Sequence, residues 1–148
     1  MGAHGARSAD SAQLITDQIR AVFPDGRIDR LGYEHLVGDM PGEDPDDHPH
    51  AAAAVSVAPS VLLTANIADF PAETLEHLGV SVQHPDDYFV GLLGAMPNEL
   101  LEVLSAMANQ RRRPPMTISE ILAALNRAGL KRFTTEVEEV LTNARHYD

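Results

Sequence analysis

The amino-acid sequence predicts an α/β fold in which a short parallel sheet crossed by helices is followed by a helical carboxy-terminal region. Three observations predict it. The order helix, strand, short helix, strand, helix runs from Ala51 to Val90, the arrangement of crossover connections between parallel strands. The first of those strands, Val61-Leu62-Leu63-Thr64, is a continuous apolar run, which suits a strand buried on both faces. Beyond Met96 only helical periodicity remains.

Taken in order, Leu14, Ile15, Ile19, Val22 and Phe23 recur at three- and four-residue steps and predict an amphipathic helix from Ser8 to Phe23. Pro24-Asp25-Gly26 stops it. Arg27-Ile28-Asp29 reads as a short strand, and Gly38 to Pro49 has the composition of a loop. Ala51 to Ala58 has high helix propensity and ends at Pro59-Ser60. Pro71 and Gly79 bracket a two-turn helix, Val80-Ser81-Val82 is a second strand, and Pro85 opens another helix. Three further helices follow: one from Pro97 through Leu100, Leu101, Leu104 and Met107; one from the capping box Thr117-Ile118-Ser119-Glu120 to Gly129; one through Phe133, Val137, Val140 and Leu141. Gln110-Arg111-Arg112-Arg113-Pro114-Pro115 reads as a linker.

Composition excludes several classes. The chain of 148 residues has no cysteine, so a disulfide framework, a thiolate zinc site and a cysteine nucleophile are ruled out. Its longest apolar stretch, Ala51 to Leu63, is broken by Ser56, Pro59 and Ser60, well short of the roughly 20 residues that span a bilayer. No secretory leader pattern opens the chain, so a cytoplasmic protein away from membranes is expected. The net charge of −11 is uneven: no Lys or Arg occurs between Leu31 and Gln110, a stretch with thirteen acids, so the middle is −13 and the ends together +2. A block of this sign repels a phosphate backbone but can collect divalent cations; the plainer reading is a solvated acidic surface. No glycine-rich phosphate loop and no nucleophile elbow is present, which removes nucleotide-dependent and serine-hydrolase readings.

In parallel sheets ligands gather at the carboxyl ends of the strands. Thr64, Asn66 and Asp69 lie there, and Asp44, Asp46, Asp47, His48 and His50 lie in the loop feeding the preceding helix. Carboxylates and an amide oxygen converging at that point would make a hard oxygen site for Mg²⁺ or Mn²⁺. Each has a structural alternative: Asp46 or Asp47 as a helix cap, Asp69 as the cap of the helix entered at Pro71, and the two histidines as solvated side chains.

The segments Asp44-Pro-Asp-Asp-His-Pro-His-Ala-Ala-Ala-Ala, Val61-Leu-Leu-Thr-Ala-Asn-Ile-Ala-Asp-Phe-Pro-Ala-Glu, Leu78-Gly-Val and His84-Pro-Asp-Asp-Tyr-Phe together resemble the second half of a PIN domain, in particular the VapC-type toxin ribonucleases with a helical carboxy-terminal extension. The resemblance implies a partial three-layer α/β/α PIN-like fold at 1–95 and a helical region at 96–148. It also implies Mg²⁺-dependent RNA cleavage held in check by a cognate antitoxin. Under it, Asp47 and Asp46 are the catalytic acids; Asp44, Asn66 and Asp69 complete the metal set, with Asn66 where the family carries an acid; Thr64, His48 and His50 stand nearby. Arg111, Arg112 and Arg113 are candidate RNA or partner contacts, with a solvated linker as the plainer reading. The family's opening strand with its Asp-Thr-Asn-like motif and its later Glu have no counterpart here. The expectation is therefore an amino-terminally shortened protein, inactive alone. The alternatives are a non-catalytic module that binds an antitoxin or a split partner, and a decayed gene remnant; a homodimer is a further partner expectation.

Overall fold

Residues 13, 14, 16–110 and 115–147 are described by the structure, a computed structural model. Residues 13–14 and 16–22 are helical, and Pro24 and Asp25 form the turn beyond them. The predicted strand at Arg27 to Asp29 does not form. A strand needs a ladder partner, and the two strands of the sheet pair only with each other. The Gly32 N–H instead donates to the Asp29 carbonyl at 2.8 Å, starting helix α1 (Arg30–Tyr33). A 3-10 turn, Glu34–Asp39, continues it.

The segment read as a loop up to Pro49 ends earlier, because helix α2 (His48–Ser56) begins at His48 with Pro49 in its first turn, a position where the missing proline N–H costs nothing. Ala51, Ala52 and Ala54 are buried, and side chains this small let the helix lie close to the sheet. Strand β1 (Ser60–Leu63) pairs in parallel with β2 (Val80–Gln83), Leu62 opposite Val82 and Leu63 opposite Gln83. Between the strands come a 3-10 turn, Ile67–Asp69, and helix α3 (Ala72–His77). Gly79 turns the chain into β2 at φ +84°, and a Cβ there would lie 3.0 Å from that of Ala58, so two constraints select glycine.

Met40, Phe70, Leu75 and Val80 form the first core with the α2 alanines, and Leu62 and Val82 pack against it. All of this lies on one side of the sheet. On the other side Val61 and Leu63 are 43% and 41% exposed, so β1 alternates and is not buried on both faces as its apolar run predicts. Among the described residues the sheet therefore has one helical layer, not two.

The second core belongs to four helices: α4 (Pro85–Ala95), α5 (Pro97–Gln110), α6 (Ile118–Arg127) and α7 (Lys131–Arg145). Leu93, Leu104, Ile121, Leu122, Phe133 and Val137 are its buried members. Helix α4 packs chiefly on α7, so its apolar side joins the helices that follow it rather than the sheet before it. The capping box at α6 forms as its sequence predicts, with Thr117 Oγ1 accepting the Glu120 N–H at 3.2 Å. Among the described residues no single helix is long and apolar enough to cross a membrane; α4 and α5 reach that length only as a pair bent by 115°.

Candidate functional site

The acidic loop ahead of α2 is shaped by its own side chains. Asp44 Oδ1 accepts the Asp46 N–H at 2.9 Å, an Asx turn that the Asp-Pro-Asp sequence favours. His48 Nε2 lies 2.9 Å from the Gly42 carbonyl oxygen, which fastens the loop to the start of α2. Gly42 itself has φ +124°, and a Cβ there would stand 3.6 Å from the Asp69 carbonyl oxygen. The loop thus lies beside the 3-10 turn that follows β1.

Between these two segments lies an open cleft of about 770 Å³ lined by Glu43, Asp44, Asp69 and Ala68 with Pro41 and Pro71. Of the predicted site residues it brings Asp44 and Asp69 together. Glu43 joins them; sequence reasoning counted it among the acids but did not single it out, and its signal was adjacency to Asp44. Asp46, Asp47, Asn66, Thr64, His48 and His50 are not part of that lining.

Asp47 occupies the N-cap position of α2, yet its side chain makes no capping bond, so the cap role leaves its carboxylate unused. Thr64 Oγ1 accepts the Asn66 N–H at 3.0 Å, and Asn66 precedes the 3-10 turn without capping it. The capping alternative for Asp69 fails too: it sits inside that turn, and α3 starts from Pro71 with no side-chain cap. His48 and His50 fall in the first turn of α2, where residues two apart point to different sides. Arg111, Arg112 and Arg113 lie outside the described residues.

Mg²⁺ and Mn²⁺ require several hard oxygen ligands in one small space. Among the described residues no group of three or more His, Asp or Glu side chains could hold a metal ion. Among the described residues, the loop acids and Asp69 do not form a cage.

The most constrained acid lies elsewhere. Asp86, in the first turn of α4, is buried at 8% exposure. Its Oδ1 accepts the Phe133 N–H at 2.8 Å and its Oδ2 the Arg132 N–H at 3.0 Å. These are free donors of the first turn of α7, which has no side-chain cap of its own. Burial pushes the Asp86 carboxyl up, but the Phe133 and Arg132 N–H groups, with the charges of Arg132 and His84, outweigh it and hold it below its ordinary value. Arg132 Nη1 also meets Asp87 Oδ1 at 2.8 Å, and the Asp86 N–H donates to His84 Nδ1 at 3.0 Å.

Comparison with known proteins falls on this same unit. Residues 85–139 match the family described as VapC50 C-terminal domain, a span that opens at the first residue of α4 and closes inside α7. A protein of Mycobacterium tuberculosis (strain ATCC 25618 / H37Rv) named "Putative ribonuclease VapC50" is 31% identical over 95 residues, 64% of this chain and 56% of that protein. The chain is related to a VapC-type protein. It spans little more than half the length of that relative. No solved structure matches. The VapC50 C-terminal match coincides with the second hydrophobic core and includes both ends of the Asp86 tether.

Proposed function

We propose that this chain belongs to the VapC-type toxin ribonuclease class, acts in the cytoplasm with a cognate antitoxin as its partner, and does not cleave RNA by itself. The observation that carries the class is the VapC50 C-terminal match over residues 85–139, supported by the curated relative. The second half of a PIN-like domain is the corresponding reading of the sheet unit: a parallel β1–β2 pair, the α3 crossover and an acidic loop at the carboxyl end of β1 are its expected parts.

What supports inactivity of the chain alone is the arrangement of the acids. Asp47 has a carboxylate without a capping role, and Asp44 and Asp69 share a cleft with Glu43, yet no three of these groups stand close enough to fix a cation among the described residues. Mg²⁺ or Mn²⁺ is the cofactor of the proposed class, and ligands beyond those described are needed to retain it. The test is incubation of the purified chain with single-stranded RNA and Mg²⁺. No cleavage is expected; Mg²⁺-dependent cleavage abolished by Asp47→Ala would overturn the inactivity and establish the site.

A second reading is a non-catalytic module that binds an antitoxin. It is favoured by the helical unit, which has its own core and a buried polar tether, while the acidic loop gathers no complete ligand set. Co-purification with the product of a neighbouring gene supports it; a monomer that retains no partner counts against it.

A further inference from the structure

Between residues 13 and 110 the Lys and Arg side chains are Arg20, Arg27 and Arg30, and two of these three line one groove. It has a volume of about 480 Å³ and runs between the amino-terminal helix and α2. Thr16, Ile19, Arg20 and Phe23 form its first wall, their steps of three and four placing them on one face of a helix. The Phe23 N–H still bonds to the Ile19 carbonyl at 2.8 Å, so the helical face extends to that ring. His50 and Ala53 of α2 form the second wall, and Arg27, Ile28 and Tyr33 complete the lining.

The lining joins apolar surface to cationic and neutral donors and contains no acid. Ile19 and Phe23 are 56% and 63% exposed, apolar area that a ligand's body would take out of water. Arg30, outside the groove, is engaged by Glu34 at 3.2 Å. Arg20 and Arg27 are held less firmly: they meet Asp17 and Asp29 at 3.9 Å and 3.8 Å, between exposed side chains, where an ion pair contributes little. Among the described residues the Tyr33 hydroxyl and the His50 ring have no hydrogen-bond partner, which leaves two further donors for a ligand oxygen.

We propose that this groove binds a small monocarboxylate with an apolar body, the class of fatty and aromatic acids. Guanidinium groups pair with carboxylates and phosphates alike, so charge and shape decide between them. The chain is −11 overall, and the stretch from Leu31 to Gln110 that supplies the α2 wall is −13; every further negative charge on a ligand adds repulsion. A single carboxylate draws on Arg20 and Arg27 with the least opposition. Its apolar body covers Ile19, Phe23 and Ile28, which a bare phosphate would leave wet. The groove falls within the roughly 300–1,000 Å³ of small-molecule sites. It is separate from the acidic cleft lined by Glu43, Asp44 and Asp69, and the proposal does not depend on the ribonuclease reading.

The test follows the isotope-labelled full chain by NMR as octanoate or benzoate is added, with octanol, acetate and inorganic phosphate for comparison. Saturable shifts of the backbone amides lining the groove are expected with one or both acids, the tighter of the two naming the body. Octanol lacks the charge and acetate the body, and each is expected to bind at least about tenfold more weakly. Arg20→Gln combined with Arg27→Gln is expected to weaken octanoate binding by about tenfold or more. Where that double variant proves unfolded by circular dichroism, Ala53→Phe replaces it: the ring fills the groove, leaves both cations in place and is expected to abolish the shifts. No saturable binding of either acid overturns the proposal, as does octanol or phosphate binding as tightly as octanoate. So do shifts centred on Val61 and Leu63 or on the acidic cleft, and an affinity unchanged in the variant that folds.

Discussion

The Asp86 carboxylate and the Phe133 backbone N–H are joined at 2.8 Å across 47 residues of chain. With the Arg132 N–H on the other oxygen, Asp86 does for α7 what an N-cap aspartate does for its own helix, but from a different helix. Bonds to a charged acceptor contribute about 1.5–3 kcal/mol each, and a stranded buried donor costs more than the mean. Asp86→Ala is expected to lower stability by about 3 kcal/mol and Asp86→Asn by less, since one carbonyl oxygen survives. Urea unfolding followed by circular dichroism measures both.

Asp87 provides the contrast. Its 2.8 Å ion pair with Arg132 lies between side chains 55% and 63% exposed, where such pairs contribute about 0–1 kcal/mol. Asp87→Ala should shift the urea midpoint only slightly, and a loss equal to that of Asp86→Ala would show that the ion pair, not the buried carboxylate, holds the two helices.

The pH dependence follows from the lowered pKa of Asp86. A carboxyl whose folded pKa is below its unfolded value of 3.8 binds fewer protons folded than unfolded, so its contribution is complete above that value. As pH falls through the folded pKa the contribution disappears. The stability difference between wild type and Asp86→Asn should be constant from pH 5 to 7 and shrink below about pH 4. A difference that grew with acid would reverse the sign and the assignment.

Asp47 and Asp44 should behave differently from each other. Asp47→Ala removes no capping bond and is expected to change stability by less than about 0.5 kcal/mol. Asp44→Ala loses the turn bond to the Asp46 N–H and should cost about 1 kcal/mol. Thermal melts of the two variants distinguish a carboxylate that holds the loop from one that does not.

The two cores should respond separately. Leu75→Ala and Leu122→Ala each truncate a fully buried side chain and are expected to cost about 3 kcal/mol. Hydrogen exchange should accelerate around β1 and β2 in the first variant and around α4 to α7 in the second. Equal acceleration throughout in both would mean that the two units unfold as one.

What could be read in the sequence was whatever is encoded locally. The capping box of Thr117 and Glu120, the Pro71 to Gly79 helix and the Val80 strand each carry their signals within a few residues, and each forms. The Arg27 strand did not, because a strand depends on a partner and no described one lies beside it. His48 looked like loop because Pro49 and Asp47 flank it, yet proline is at home in a first turn. The exposure of Val61 and Leu63 depends on which side α2 and α3 take, and an apolar run cannot show that. In the site, the sequence grouped Asp69 with Asp44, and the cleft brings those two together, whereas Asp46 and Asp47, added by adjacency along the chain, do not line it and Glu43 does. Asp86 went unnoticed for the same reason: the orphan donors it satisfies belong to the third helix after its own.

That separation bears on the order of folding. Leu130 offers α7 no side-chain cap, so the helix lacks the local signal that would start it early. The Arg132 and Phe133 N–H groups of its first turn find Asp86 only when a loop of nearly fifty residues has closed, an entropic cost that must be met before either Asp86 bond can repay it. The last helix of the chain thus depends, for two of its first-turn donors, on a closure that spans most of the helical unit.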